Sequence, residues 1–195
     1  MIRLSSSRRV LEIGSGCSTV AILNTLMPRK AEERPAGFSP SFLSVESEEK
    51  WADVNRQEIK NIWEHDGLPL PEWFELRYCW ASVIEIGAGE VKERSYSHDF
   101  AVTEPFDFIY VDGPHLVDAK HSCDVLKPGI FNDQTIVCVD GRAHTVRLIR
   151  KAMEAWTLLE PPYPSNDTYF IHPRHKAYQV LTDIFGLKEG CASNV

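Results

Sequence analysis

Residues 10–19 read V-L-E-I-G-S-G-C-S-T, an apolar run carrying one carboxylate, then two glycines one residue apart, then small residues able to open a helix. Such a run is a strand that delivers the chain into a tight turn. Gly14 and Gly16 supply positive φ and a missing Cβ where backbone must pass close to something else, and the free N–H groups of the following helix face the same spot. A second apolar run, F-L-S-V-E, ends at Glu46. An acidic side chain closing the second strand of a βαβ unit is placed to accept hydrogen bonds from both hydroxyls of a ribose. The pair predicts a parallel α/β sheet with a site for a nucleoside-containing cofactor. A strand–helix turn without a ligand is the plainer alternative.

Two cofactors compete for such a loop. The dinucleotide fingerprint wants a third glycine three residues after the second, for close helix–strand contact and access of the pyrophosphate to the helix N-terminus. Thr19 stands there. Glu12 adds negative charge beside the phosphate position, where it would repel a pyrophosphate and attract a cation. S-adenosylmethionine brings a ribose for Glu46, no phosphate, and positively charged ammonium and sulfonium groups, so both deviations fit it.

The chain has 195 residues, 43% hydrophobic and 25% charged, which suits one globular domain spanning 1–195. Its formal net charge of −7 argues against a surface that tracks phosphates, because nucleic-acid affinity needs clustered Lys and Arg. The basic residues are scattered. No apolar core long enough for a signal peptide opens the chain, and no stretch approaches the roughly 20 apolar residues of a membrane span. The expectation is a soluble, cytoplasmic protein with no nucleic-acid or membrane partner. Five cysteines without C-x-x-C spacing read as reduced thiols, mostly core residues. Cys17, at a helix N-terminus, reads as a cofactor-loop residue rather than a nucleophile.

Apolar runs alternate with helical patterns along the chain. Strands are expected at 9–14, 41–46, 74–80, 106–112 and 135–140, with helices at 18–27, 48–65, 117–126 and 143–156. Residues 83–104 fit either a short helix or an irregular insertion. The stretches 169–172 and 177–184, around H-P-R-H, read as an antiparallel hairpin closing the sheet. The predicted fold is a Rossmann-like, doubly wound, mostly parallel sheet with a C-terminal antiparallel hairpin.

In open α/β sheets the ligand lies beyond the carboxyl ends of the strands, where strand order reverses. The candidate residues are then Glu12 to Gly16, Glu46, Ala81 and Ser82, Asp112 to His115, and Asp140 to Arg142. Asp112 and Asp140, from neighbouring strand ends, suit one hard divalent cation of the Mg²⁺ type. Such an ion would polarise a substrate hydroxyl, and His115 could remove its proton. The plainer alternatives are helix caps and turns, since Asp and Gly-Pro favour both. Arg142 reads as a surface or cap residue, His65 and His98 as exposed loop residues, His121 and His144 as unassigned helical residues, and His172 and His175 as loop structure.

The order E-I-G-S-G, V-E-S, W-A-S, Y-V-D-G-P-H and V-D-G-R resembles class I S-adenosylmethionine-dependent methyltransferases, and among them the catechol-type and related small-molecule O-methyltransferases. The resemblance spans about residues 9–156. It implies that Glu12, Gly14 and Gly16 bind the methionyl part, with Cys17 in the same loop; that Glu46, followed by Ser47, takes the ribose; and that Ala81 and Ser82 meet the adenine. It also implies that Asp112 and Asp140 are metal ligands, with Asp112 and His115 catalytic. Three departures stand out. Trp80 sits where a small residue often precedes the adenine contact. Val139 and Gly141 flank Asp140 where an Asn or acidic residue usually accompanies it, and the chain begins about nine residues before the first strand, without the usual covering helices. Either a partner subunit in a homo-oligomer or residues 83–104 would supply that cover, or the site is open and catalysis weak. The expected activity is methyl transfer to a small-molecule hydroxyl, with divalent-metal assistance as an option. A catalytically silent methyltransferase-like module that binds a nucleoside or a partner is the alternative, and a nicotinamide-dependent oxidoreductase is disfavoured by Glu12 and Thr19.

Overall fold

A computed structural model describes residues 1–2, 6–27, 39–65, 67, 69–86, 93–113, 121–159 and 166–185, without the side chain of 121. The first strand, β1 (Arg9–Ile13), pairs in parallel with both β2 (Ser41–Glu46) and β6 (Phe108–Val111). Strand β3 (Phe74–Tyr78) extends the sheet beyond β2, and β8 (Ile136–Asp140) extends it beyond β6, both in parallel. The far edge is antiparallel: β10 (Asp167–Ile171) pairs with β8 and with β9 (Thr157–Leu159). The order is β3-β2-β1-β6-β8-β10-β9, so the strand order reverses between β1 and β6, where such sheets open a crevice at their carboxyl ends.

Strand pleating divides the core between two faces, because successive side chains point to opposite sides. Val10, Phe42, Phe108 and Ile136 pack on one face, under Ile22, Leu23 and Leu26 of α1 (Cys17–Leu26) and Ala52, Ile59 and Trp63 of α2 (Glu49–His65). Leu11, Ile109, Val137 and their neighbours pack on the other, under Ile149 and Met153 at and just beyond α3 (Ala143–Ala152). Apolar residues on both sides explain why the central strands lack polar alternation. The doubly wound, mostly parallel sheet with an antiparallel C-terminal pair is therefore present.

Three details differ from expectation. The second arm of the predicted hairpin is helical: α4 (Tyr178–Phe185) follows the 169–171 region, and the antiparallel partner of β10 is β9. Ala177, Leu181 and Phe185 repeat every four residues and face the core while Val180 and Ile184 are exposed, a helical period beneath a β-branched composition. The second is the ambiguous 83–104 stretch, which contains an antiparallel pair, β4 (Ala81–Ile86) and β5 (Glu93–His98), joined by β7 (His121–Ser122) in a separate three-stranded sheet. The third concerns the helix expected at 117–126. Its first four residues lie outside the described ones, and the remainder is β7 followed by one 3-10 turn at Asp124–Leu126. Ser122 and Asp124 spend their side chains on each other and on His98, which competes with helical backbone pairing.

Candidate functional site

The bend after β1 is held by backbone on both sides. The Gly14 N–H donates to the Val45 carbonyl at 2.9 Å, and the Asp112 N–H donates to the Ile13 carbonyl at 2.9 Å, so both ladders run on past the strand ends. Gly14 has φ +93°, and a Cβ placed there would lie 2.5 Å from the Gly113 nitrogen. A Cβ on Gly113 would lie 2.5 Å from the Gly14 Cα. The two glycines thus let the loops after β1 and β6 touch at the point of strand reversal. Gly113 was legible only as a turn former in D-G-P-H, because its packing partner is distant in sequence. Gly16 differs: a Cβ there meets nothing within 4 Å, leaving open space in front of the bend.

Glu12 is fully buried. It shares its face of β1 with Val10, and the β1–β2 register sets it beside Ser44. The Ser44, Ser18 and Thr19 hydroxyls all donate to its carboxylate, each at 2.6 Å. Burial outweighs these bonds and pushes its pKa up to about 7. Thr19, at the position of a third fingerprint glycine, also accepts the Gly16 N–H at 2.9 Å while its own N–H donates to the Gly16 carbonyl at 3.1 Å. Glu12 and Thr19 therefore tie the start of α1 to the sheet from below, and Glu12 reaches the space before Gly16 only through the loop that it holds.

Glu46 approaches the same bend from β2 and is half-buried. One oxygen accepts from the Ser15 hydroxyl at 2.9 Å and the Ser15 N–H at 3.2 Å. The other accepts from the Ser47 N–H at 2.7 Å, the Ser47 hydroxyl at 3.3 Å and the Glu48 N–H at 3.1 Å. Asn55 of α2 donates to the Ser15 hydroxyl at 2.7 Å, completing a chain from helix to bend to carboxylate. Ser15 belongs to the Glu12-to-Gly16 candidates only as a loop residue, and nothing in the sequence marks Asn55 as its bridge to α2. Cys17 is an exposed free thiol at the first position of α1.

Beyond β3, the Cys79 N–H donates to the Glu46 carbonyl at 2.8 Å, so the chain leading to Ala81 and Ser82 starts beside Glu46. Both residues belong to β4, where Ala81 pairs with His98 and the Ser82 hydroxyl donates to the Ser97 carbonyl at 3.4 Å. Trp80, just before them, is 66% exposed.

Asp112 and Asp140 follow register-matched ends of β6 and β8, Val111 being paired with Val139. Their carboxylates, however, have separate partners. The Arg142 guanidinium donates to the Asp112 carbonyl oxygen and lies 3.4 Å from its Oδ1, while Asp140 accepts the Tyr110 hydroxyl at 3.4 Å. Arg142 is thus no surface residue: its side chain is 15% exposed. Among the described residues no three His, Cys, Asp or Glu side chains are grouped to hold a metal ion. A donor set whose first carboxylate carries a guanidinium does not fit a divalent ion. His115 lies outside the described residues.

The remaining histidines correct several expectations. His98 is buried, with Nδ1 2.6 Å from the Asp124 carboxylate and its N–H donating to the other oxygen at 2.8 Å. Ser122 donates to the same carboxylate at 2.7 Å, and Lys127 donates to the His98 carbonyl at 2.7 Å. Residue 121 is in a strand and His65 ends α2, while His144 is helical and exposed, as its position suggests. His175 is buried in a turn, accepts the Ala177 N–H at 2.9 Å, and is driven toward the neutral form by burial.

No protein-family model and no curated protein matches the chain. Among solved structures it is similar to the SAH-bound Podospora anserina methyltransferase PaMTH1, at 16% identity and a TM-score of 0.49, with 88% of this chain and 74% of that chain covered.

Proposed function

We propose that the chain is an S-adenosylmethionine-dependent methyltransferase acting on a hydroxyl oxygen of a small molecule. One observation carries this reading: Glu46, at the carboxyl end of β2, has its carboxylate on the Gly14–Gly16 bend, next to the reversal of strand order. Its oxygens accept two serine hydroxyls, and ribose hydroxyls can replace those donors without loss of hydrogen bonding. Gly16 leaves room before the bend, and α1 presents its N-terminus there without an acidic residue in its first turn. A helix end of that kind favours the carboxylate of an amino-acid moiety. Glu12, caged and raised to about 7, orders the loop rather than lining it with fixed charge.

When bound, the cofactor supplies an electrophilic methyl group on sulfur. The protein's task is then alignment of the acceptor oxygen and removal of its proton. Asp112, just past the carboxyl end of β6 with a side chain 40% exposed, is proposed to orient the acceptor, and His115, three residues on, is proposed as the base. With the Arg142 guanidinium already at Asp112, the proposed transfer proceeds without magnesium. The same two separately bonded aspartates favour a second reading, a methyltransferase-like module that binds the nucleoside without turnover.

Transfer of a labelled methyl group to a panel of hydroxyl-bearing metabolites tests the proposal. Product formation that disappears in a folded Glu46→Ala protein supports it. Binding of S-adenosylhomocysteine without transfer to any acceptor favours the silent module, and tighter binding of NAD overturns both.

A further inference from the structure

We propose that Arg142 takes the place of a divalent cation at Asp112, so that the site operates metal-free; this rests on the methyltransferase reading. The residue is fixed by its surroundings. Gly141, at φ +58°, turns the chain out of β8 and donates its N–H to the Asn166 carbonyl at 3.1 Å. Arg142 then starts α3, its carbonyl accepting the Val146 N–H at 2.9 Å. Turn and helix together aim the side chain back across the ends of β8 and β6. There it is largely desolvated and contacts Asp112 twice, at the main-chain carbonyl and at the carboxylate.

Asp112 immediately precedes Gly113, whose backbone touches Gly14. By gripping both the carbonyl and the carboxylate of Asp112, Arg142 secures that contact and fixes the direction of the acid. A divalent ion bound to Asp112 would sit next to a desolvated positive charge, which like-charge repulsion opposes. It would also have to draw Asp140 away from Tyr110. A planar guanidinium holds a carboxylate with directional bonds and a permanent charge, so it meets the orienting requirement that an ion would otherwise meet. Arg142 is accordingly a positioning residue, acting through Asp112.

The test is titration of Mn²⁺ into the full chain, followed by loss of the free-ion electron paramagnetic resonance signal, with S-adenosylhomocysteine calorimetry in parallel. The wild type is expected to take up no Mn²⁺, and its S-adenosylhomocysteine affinity to be the same with EDTA or Mg²⁺. Arg142→Ala is expected to gain Mn²⁺ uptake, which Asp112→Asn in the same chain removes. Mn²⁺ uptake by the wild type that Asp112→Asn abolishes would overturn the proposal. So would an Arg142→Ala protein that takes up no ion, since the guanidinium would then not be what keeps it out. Should Arg142→Ala fail to fold, Arg142→Gln, which keeps a hydrogen-bond donor toward the Asp112 carbonyl but no charge, is read by the same two outcomes. Absence of S-adenosylhomocysteine binding contradicts the methyltransferase reading, and the Mn²⁺ result is independent of it.

Discussion

Gly14 and Gly113 meet backbone to backbone, each leaving no space for a Cβ on the other: a methyl group on either would lie 2.5 Å from main-chain atoms of its partner. The contact joins the two loops that flank the reversal of strand order. The two loops are therefore fixed to one another by a junction with no side chain between its halves.

Substitution at the three glycines separates folding from binding. Gly14→Ala combines positive φ with backbone overlap and is expected to cost about 3 kcal/mol or more in urea unfolding, as is Gly113→Ala through overlap alone. Gly16→Ala enters open space and should change stability by less than about 0.5 kcal/mol. The same change should nevertheless weaken S-adenosylhomocysteine about tenfold in calorimetry, through crowding of the space before the bend. Unchanged affinity would place the ligand elsewhere.

Glu12 makes stability depend on pH in an unusual direction. Its folded pKa of about 7 lies above the ordinary carboxyl value of 4.5, so the folded state holds the proton more tightly than the unfolded state. Its contribution is fully present below about pH 4.5 and is lost as pH rises through 7. The difference amounts to about 3 kcal/mol. Glu12→Gln removes this dependence, so urea unfolding should find the variant gaining on the wild type between pH 5 and pH 8. A gap between the two that does not change with pH would contradict it.

Asp124 should matter to the fold as much as any apolar core residue. Removing it by Asp124→Ala strands the buried His98 ring, the His98 N–H and the Ser122 hydroxyl. The expected loss is about 3 kcal/mol in chemical denaturation. Asp133→Ala, on an exposed turn, serves as the control and should fall within about 0.5 kcal/mol of the wild type.

The parts legible in the sequence are those whose cause is local. The β1 bend could be read because apolar run, glycines and helix opening are contiguous, and β2 because the apolar run F-L-S-V and the closing Glu46 are contiguous too. The central strands were recognisable because burial on both faces leaves uninterrupted apolar runs. What stayed hidden depends on distant partners. His98 looked exposed because Asp124 lies 26 residues away, and Arg142 looked superficial because its anchor, Asp112, lies 30 residues away, just past β6. The tail at 177–184 misled through β-branched residues, whose composition outweighed a four-residue period when read without its packing partner, Tyr169.

Titration of S-adenosylhomocysteine into the wild type and into Glu46→Ala decides whether this carboxylate holds the cofactor. The wild type is expected to bind saturably at one site, and removing the carboxylate to cost about a hundredfold or more in affinity, since two charge-assisted hydrogen bonds disappear. No binding by the wild type, or equal affinity in a folded Glu46→Ala protein, would contradict it.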